Sequence, residues 1–435
     1  MEPVSLALLT AVVLVVLLGA GVYIGAALLI VGMFAMDLAT GRPIGPAMAT
    51  SVWAQISTWG LASLPLFIWM GEILYRTRLA QGLFDGLSPL LRWLPGGLLH
   101  VNVAACTAFA AISGSSAATL MTVGKITMPE LKRRGYPDSM VAGTLAGAGT
   151  LGLLIPPSIT MIIYGVMVQE SIARLFMAGF LPGLLLAFLF LAYNFLWGVV
   201  TADGRRMREN PSTFREKLRG LIALWPIVAL MAAVIGSIYS GIAAPTEAAI
   251  LGVAGALLAS ALQKSLTWDS FVDSLLGTVR STAMITLLLA GSAFLTLAMG
   301  FTGLPRALAE WIGAMDLPPT ALILALLVFY IFLGCFLDGI SMIVLTIAVV
   351  EPLVRAVGID MIWFGVFVVL VGEMALITPP IGFNLFLVQG MSGLDIGFVA
   401  RAAAPMFAIM VVMVVLLIVF PEIALWLPQA MTARN

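Results

Sequence analysis

The sequence predicts an all-α polytopic membrane protein. It is read as two inverted-topology repeats, each with a re-entrant helical hairpin and a helix broken at a Pro-Pro pair. Three observations carry this prediction: extreme apolar composition, an ungapped internal repeat, and a one-sided distribution of basic residues.

Of the 435 residues, 62% are hydrophobic and 10% are charged, against about 25% charged in soluble domains. Mean hydropathy is +1.12. A single soluble core cannot hide that much apolar surface behind so few polar groups, so lipid must be the solvent for the rest. Formal net charge is zero, which gives no footprint for nucleic acid. The two cysteines, Cys106 and Cys335, lie in apolar stretches and read as small buried hydrophobes. His100 is the one histidine, so a zinc site or histidine-based catalysis has almost no raw material.

The elements follow from charge-free stretches. The N-terminus, MEPVSLALLTAVVLVVLLGAG, lacks the basic start of a signal peptide and reads as a retained membrane segment. Residues 3–36 carry no charge; one helix of that length would be roughly 50 Å long against a hydrocarbon core of about 30 Å. Gly19 and Gly21 suggest a break, giving helices near 4–19 and 21–38. Further spans are expected near 60–78, 138–168, 172–200, 221–240, 242–262, 281–300, 361–390 and 397–420. Two apolar regions are interrupted by small or polar residues: 95–131 at Ser113-Gly114-Ser115-Ser116, and 318–353 at Asp338-Gly339-Ile340-Ser341. Each is read as a hairpin that enters the membrane and returns; a pair of full spans is the alternative. The segment 201–220, TADGRRMRENPSTFREKLRG, carries six Lys/Arg and reads as a basic cytoplasmic linker. It separates a first repeat, 1–200, from a second, 221–435.

The halves are related. At an offset of 223 residues, Pro95, Pro129, Pro156, Pro157 and Pro182 fall on Pro318, Pro352, Pro379, Pro380 and Pro405, and Gly135 falls on Gly358. At 220, Gly21 meets Gly241 and Gly32 meets Gly252. These residues shape backbone, so the halves share a fold rather than a composition. With the linker in the cytoplasm, the first half crosses five times and starts outside, and the second crosses five times and ends outside. That makes the repeat inverted. The feet of the first hairpin carry Arg76, Arg78, Arg92, Lys125, Lys132, Arg133 and Arg134; those of the second carry Arg306 and Arg355. Of 21 Lys/Arg, only Arg42, Arg174, Arg306, Arg355 and Arg434 fall outside, as the positive-inside rule requires.

Broken backbone at membrane depth is costly unless it lines a cavity or binds something. The small, hydroxylated tips suit close approach of backbone and side-chain oxygens to a cation. Asp338 is a candidate functional acid in a charge-free region, with a helix N-cap or a snorkelled interfacial acid as the competing readings. In GAGTLGLLIPPSI (147–159) and GEMALITPPIGFN (372–384), proline removes amide donors and should free the carbonyls of Gly152, Ile155, Ala375 and Thr378. A plain proline kink is the alternative. Two oxygen-rich breaks per half suggest one cation site in each half. An anionic substrate is expected between them, near Ser115, Ser158 and Asn384. Glu247 is a second possible functional acid, equally readable as a helix-start residue after Pro245. Glu72, Glu351 and Glu373 are read as interfacial.

The series SGSSAATLMTVGKITMPELKRRGY, LGLLIPPSI, APTEAA, FLDGISMIVLTIAVVEP, MIWFGV and ITPPIGFNLF resembles the large membrane subunit of tripartite ATP-independent periplasmic (TRAP) transporters, across nearly the whole chain and in the right order. The resemblance implies an elevator-type transporter in the bacterial inner membrane, driven by sodium ions. It implies a small four-helix membrane subunit as partner, and a periplasmic binding protein that delivers an organic-acid substrate. That small subunit is expected to be separate, since no four-helix block precedes residue 1 or fills the linker. The motifs place one sodium site at Ser113, Ser116, Gly152, Ile155 and Pro157, and another at Gly339, Ala375, Thr378 and Pro380. Ala375 stands where the resemblance leads one to expect glycine. Competing readings are a stand-alone sodium/divalent-anion symporter of the same superfamily and, from another class, an intramembrane enzyme; isolated acids and one histidine argue against the latter.

Overall fold

The computed structural model describes residues 3–432 apart from 78, 209–210, 305–306, 308–309 and 311–317. Arg78, Arg306 and Arg434 lie outside the described residues. Regular structure among the described residues is helical.

The first half begins with α1 (Pro3–Gly19) and α2 (Ile24–Ala39), separated at the expected glycines. Two helices follow that the hydropathy reading does not anticipate, α3 (Ile44–Ile56) and α5 (Leu79–Leu91), on either side of α4 (Ser63–Arg76). Both carry polar residues among apolar ones, so neither reads as a span. The hairpin is α6 (Leu99–Ser113) and α7 (Ser116–Arg133). The broken helix is α8 (Asp138–Thr150) and α9 (Ile159–Val168), and α10 (Ile172–Val200) closes the half.

The basic linker is partly helical. A short α11 (Ala202–Arg206) is followed by α12 (Phe214–Tyr239), whose start is fixed by a capping box between Thr213 and Glu216. The segment also packs on the first half: Tyr136 Oη donates to Met207 O, and Arg92 pairs with Glu216 at 3.0 Å.

The second half repeats the order. After α12 come α13 (Pro245–Leu262) and α14 (Trp268–Thr302). The hairpin is α15 (Pro319–Gly334) and α16 (Gly339–Ala356). The broken helix is α17 (Met361–Ala375) and α18 (Phe383–Ser392); α19 (Ile396–Val419) and a terminal α20 (Glu422–Thr432) complete the chain. Both bounds of α16 lie 223 residues beyond those of α7, and α17 starts 223 beyond α8.

The capping chemistry repeats with a substitution of acid for hydroxyl. Ser115 caps α7 where Asp338 caps α16, and Ser171 caps α10 where Asp395 caps α19. Either side chain supplies the oxygen that the first free amides need. Gly21 and Gly241, and likewise Gly135 and Gly358, have positive φ, so the matched glycines mark the left-handed turns that end helices. Both Pro-Pro peptide bonds are cis.

Lengths sort the helices by role. At 29, 26, 35 and 24 residues, α10, α12, α14 and α19 can cross a bilayer, since about 20 residues suffice. At 15 and 16 residues, the entry arms α6 and α15 are too short. The core sits around the broken helices. Every residue of α17 is buried, and α8 is buried from Met140 to Thr150, the pattern of a helix apolar on all sides and enclosed by others. The outer faces of α1, α12 and α13 expose Val12, Val15, Trp225, Val228, Ile250 and Leu258, as lipid-facing surfaces do.

Candidate functional site

Each hairpin tip lies against its own half's break. At the first tip, α6 ends at Gly114 in the left-handed region (φ 60°), and its carbonyl accepts from Ile159 N at 3.3 Å. A Cβ built on Gly114 would stand 2.5 Å from Pro157 O, and one on Gly152 would stand 2.6 Å from the Ser115 backbone. Only glycine permits that approach of tip to break. The carbonyls of Gly152, Ile155 and Pro157 receive no hydrogen bond from the described residues: Pro156 has no amide to give Gly152, while the amides one turn beyond the other two turn to Gly114 O and Ser158 Oγ. Ser113 Oγ meets Thr119 Oγ1 at 2.9 Å. Thr119 is a hydroxyl beside the tip that the motif reading passes over. It lies one helical turn beyond Ser115 and donates to that residue's carbonyl.

At the second tip, a Cβ on Gly339 would stand 3.1 Å from Gly372 O, and one on Gly334 would stand 2.6 Å from Ala375 Cβ. This accounts for the alanine at 375. In the first half the equivalent pair is Ala111 and Gly152; in the second the methyl has changed sides, and Gly334 makes room for it. Against expectation neither carbonyl is free here: Ala375 O accepts from Thr378 N at 3.3 Å and Thr378 O from Gly382 N at 3.0 Å, because the chain turns tightly through the break; Thr378 Oγ1 donates to Met374 O at 2.6 Å. The carbonyls of Ile377, Pro379 and Pro380 receive no hydrogen bond from the described residues. Pro156 and Pro157 are buried, whereas Pro379 and Pro380 are exposed, so the first break is closed over and the second is open.

The two tips face one cavity of about 530 Å³. Ser115, Ser116, Asp338, Gly339 and Ser341 line it from the tips, Leu153 and Leu376 from the breaks, and Tyr23, Gly25, Met284 and Leu287 from α2 and α14. These last two helices cross closely: a Cβ on Gly25 would stand 2.7 Å from Leu287 O. Of the three residues expected near a substrate, Ser115 lines the cavity and Ser158 and Asn384 do not. Ser158 is fully buried, caps α9 and donates to Leu153 O. Asn384 is also fully buried and ties the halves together: Ser116 Oγ donates to its Oδ1 at 3.1 Å, and its Nδ2 donates to Ala146 O at 3.3 Å.

The candidate acids separate. Asp338 caps α16 through Ile340 N and Ser341 N and also borders the cavity. Glu247 accepts from Ala244 N at 2.8 Å at the start of α13, away from the cavity. Glu72 and Glu351 are partly exposed and pair with Arg76 and Arg355. Glu373 departs from the interfacial expectation: it is 0% exposed, in the middle of the core. Hydropathy could not place it, because a broken helix enclosed by protein and one facing lipid share an apolar pattern.

Further contacts join each hairpin to the opposite half. Lys132 at the foot of α7 donates to Ser392 O, the last carbonyl of α18, at 3.2 Å. Arg355, 223 residues on, donates to Val168 O, the last carbonyl of α9, at 3.1 Å. Each cation thus meets the negative end of the other half's broken helix.

Among the described residues no group of three or more His, Cys, Asp or Glu could hold a metal ion. The oxygens at the tips and breaks are carbonyls and hydroxyls, with the Asp338 carboxylate at the cavity's edge, a donor set that suits an alkali cation in a transporter's broken helix.

A helical membrane fold with two backbone breaks on one cavity defines the class as a transport protein. Against solved structures the chain is similar to the Alcanivorax borkumensis YdaH transporter, at a TM-score of 0.64 and 15% identity over 93% of this chain and 98% of that one; at that identity the likeness is one of fold. The family described as tripartite ATP-independent periplasmic transporter, DctM component, matches residues 11–423, and the chain belongs to it. It is 32% identical to the C4-dicarboxylate TRAP transporter large permease protein DctM of Pseudomonas aeruginosa, covering 88% of this chain and 89% of that protein. It is 33% identical to the ectoine/5-hydroxyectoine TRAP transporter large permease protein UehC of Ruegeria pomeroyi, covering 87% and 88%. These relatives are permeases, not enzymes.

Proposed function

We propose that this chain is the transport subunit of a sodium-coupled carrier that imports a small organic acid across a bacterial inner membrane. The single observation behind this is the cavity between the two tips, with one oxygen-rich break beside each. Sodium at Ser113, Ser116, Gly152, Ile155 and Pro157, and at Gly339, Ala375, Thr378 and Pro380, would bring positive charge to both sides of the cavity. A carboxylate would then be held by those ions and by amide and hydroxyl donors such as Ser115, without an arginine. Asn384 acts through Ser116 rather than on the substrate.

The hairpins and broken helices move together past α2 and α14 as an elevator. The contacts that join them across the repeat, at Asn384, Lys132 and Arg355, favour one moving body. A small membrane subunit and a periplasmic binding protein complete the system, as the family name implies. The relatives' names include C4-dicarboxylate and ectoine, so the substrate class is a small carboxylate. The inverted orientation of the repeats and the hairpins' return to the side they entered from belong to the same proposal.

The test is uptake into proteoliposomes. Uptake is expected only with an inward sodium gradient, the small subunit and a loaded binding protein together. Uptake that persists without the binding protein would favour the stand-alone symporter reading.

A further inference from the structure

Among the described residues, Glu373 is a fully buried acid whose carboxyl is left without a partner. Its side chain is 0% exposed, it makes no ion pair among the described residues, and neither carboxylate oxygen has a hydrogen bond of normal geometry. An isolated carboxylate in an apolar interior is strongly unfavourable, so something must answer it or remove its charge. Glu373 is the 223-residue counterpart of Thr150, and its carboxyl lies beside the Thr150 hydroxyl and the Leu154 amide. The Glu373 side chain thus reaches its own counterpart, near the ends of α8 and α17 where each helix runs into its break. In the first break the carbonyls of Gly152, Leu154 and Ile155 receive no hydrogen bond from the described residues. An anion without a counter-charge and a set of unused carbonyl oxygens thus share one dry place.

We propose that Glu373 is a cation ligand, reaching from the second half to a sodium ion held at the first half's break. The inference rests on the sodium reading of that break and adds to it the negative charge that carbonyls and hydroxyls lack. The ion then joins the two halves, so its binding at the first break is felt at the second, two residues before Ala375.

The experiment is sodium-dependent thermal stabilisation of the purified full chain in detergent, against potassium at matched ionic strength. Glu373→Gln keeps the shape and removes the charge; it is expected to raise the half-saturating sodium concentration by about tenfold or more, with Glu373→Asp between it and the wild type. Thr150→Val, which removes a neighbouring hydroxyl, is expected to give a shift of a few fold and serves if Glu373→Gln does not fold. A wild type that responds to sodium while Glu373→Gln, or in its place Thr150→Val, responds at the same concentration would overturn this assignment alone and identify a neutral carboxylic acid. A wild type indifferent to sodium would overturn the sodium reading beneath it.

Discussion

At the residue scale, the close approach of tip to break depends on a methyl group that is missing. Gly334 lacks the methyl that Ala375 carries, and a Cβ there would stand 2.6 Å from Ala375 Cβ. Overpacking of this kind typically costs about 1–3 kcal/mol. Gly334→Ala is therefore expected to lower thermal stability, and Ala375→Gly in the same chain to recover part of the loss. Strict additivity in the double-mutant cycle would show that the two do not share the space. Asn384→Ala removes two bonds that join the halves and leaves Ser116 Oγ and Ala146 O with one partner fewer. Its expected cost is about 1–3 kcal/mol, read as a lower unfolding temperature with the sodium response weakened rather than lost. The tips and the Pro-Pro breaks were legible in the sequence because small residues and prolines act on the backbone wherever they stand. Asn384 is expected from the sequence to lie near a substrate, whereas the structure buries it as a tie between the halves, off the cavity. Nothing local to 384 shows that its amide meets Ala146, 238 positions earlier.

At the element scale, each broken helix ends on a cation from the opposite hairpin. Lys132 and Arg355 are 34% and 46% exposed, so each contact is expected to contribute below about 1 kcal/mol. Lys132→Ala and Arg355→Ala should each give a small loss of stability, and the pair together the sum, since they sit on different broken helices. A large non-additive loss would mean that the two ends are coupled through the module more tightly than these contacts imply. The same scale shows where hydropathy stops being informative. It places α1, α2, α10, α13 and α19 to within a few residues. It misses α5 and α20, which carry Asp85 and Glu422, and it misses α3, which is charge-free but carries Thr50, Ser51 and Gln55 among its apolar residues. It also begins α14 at 281, thirteen residues late, because Asp269, Asp273 and Arg280 fall within its first turns. Those charges lie in a continuous helix that is far longer than a bilayer is thick.

At the scale of the whole molecule, one half is the template for the other, and the differences between them carry the function. Both hairpins meet their breaks, both breaks hold cis Pro-Pro, and both tips border one cavity. The first break is enclosed and the second is exposed, so the two proposed cation sites would differ in access though not in plan. If hairpins and broken helices move as one body past α2 and α14, joining the two sides of the cavity must stop transport. With Cys106 and Cys335 replaced, cysteines at Leu287 and Ile340 treated with a thiol-bridging reagent are expected to abolish uptake, and reductive release to restore it. Unimpaired uptake in the bridged protein would show that this boundary does not slide.

The central claim, two coupled cation sites serving one substrate cavity, is tested most directly by the initial rate of substrate uptake as a function of sodium concentration. The expected curve is sigmoidal in the wild type and turns hyperbolic, with lower affinity, in Ser113→Ala or Thr378→Val. A wild-type curve that is hyperbolic, or a rate that does not depend on sodium, would contradict it.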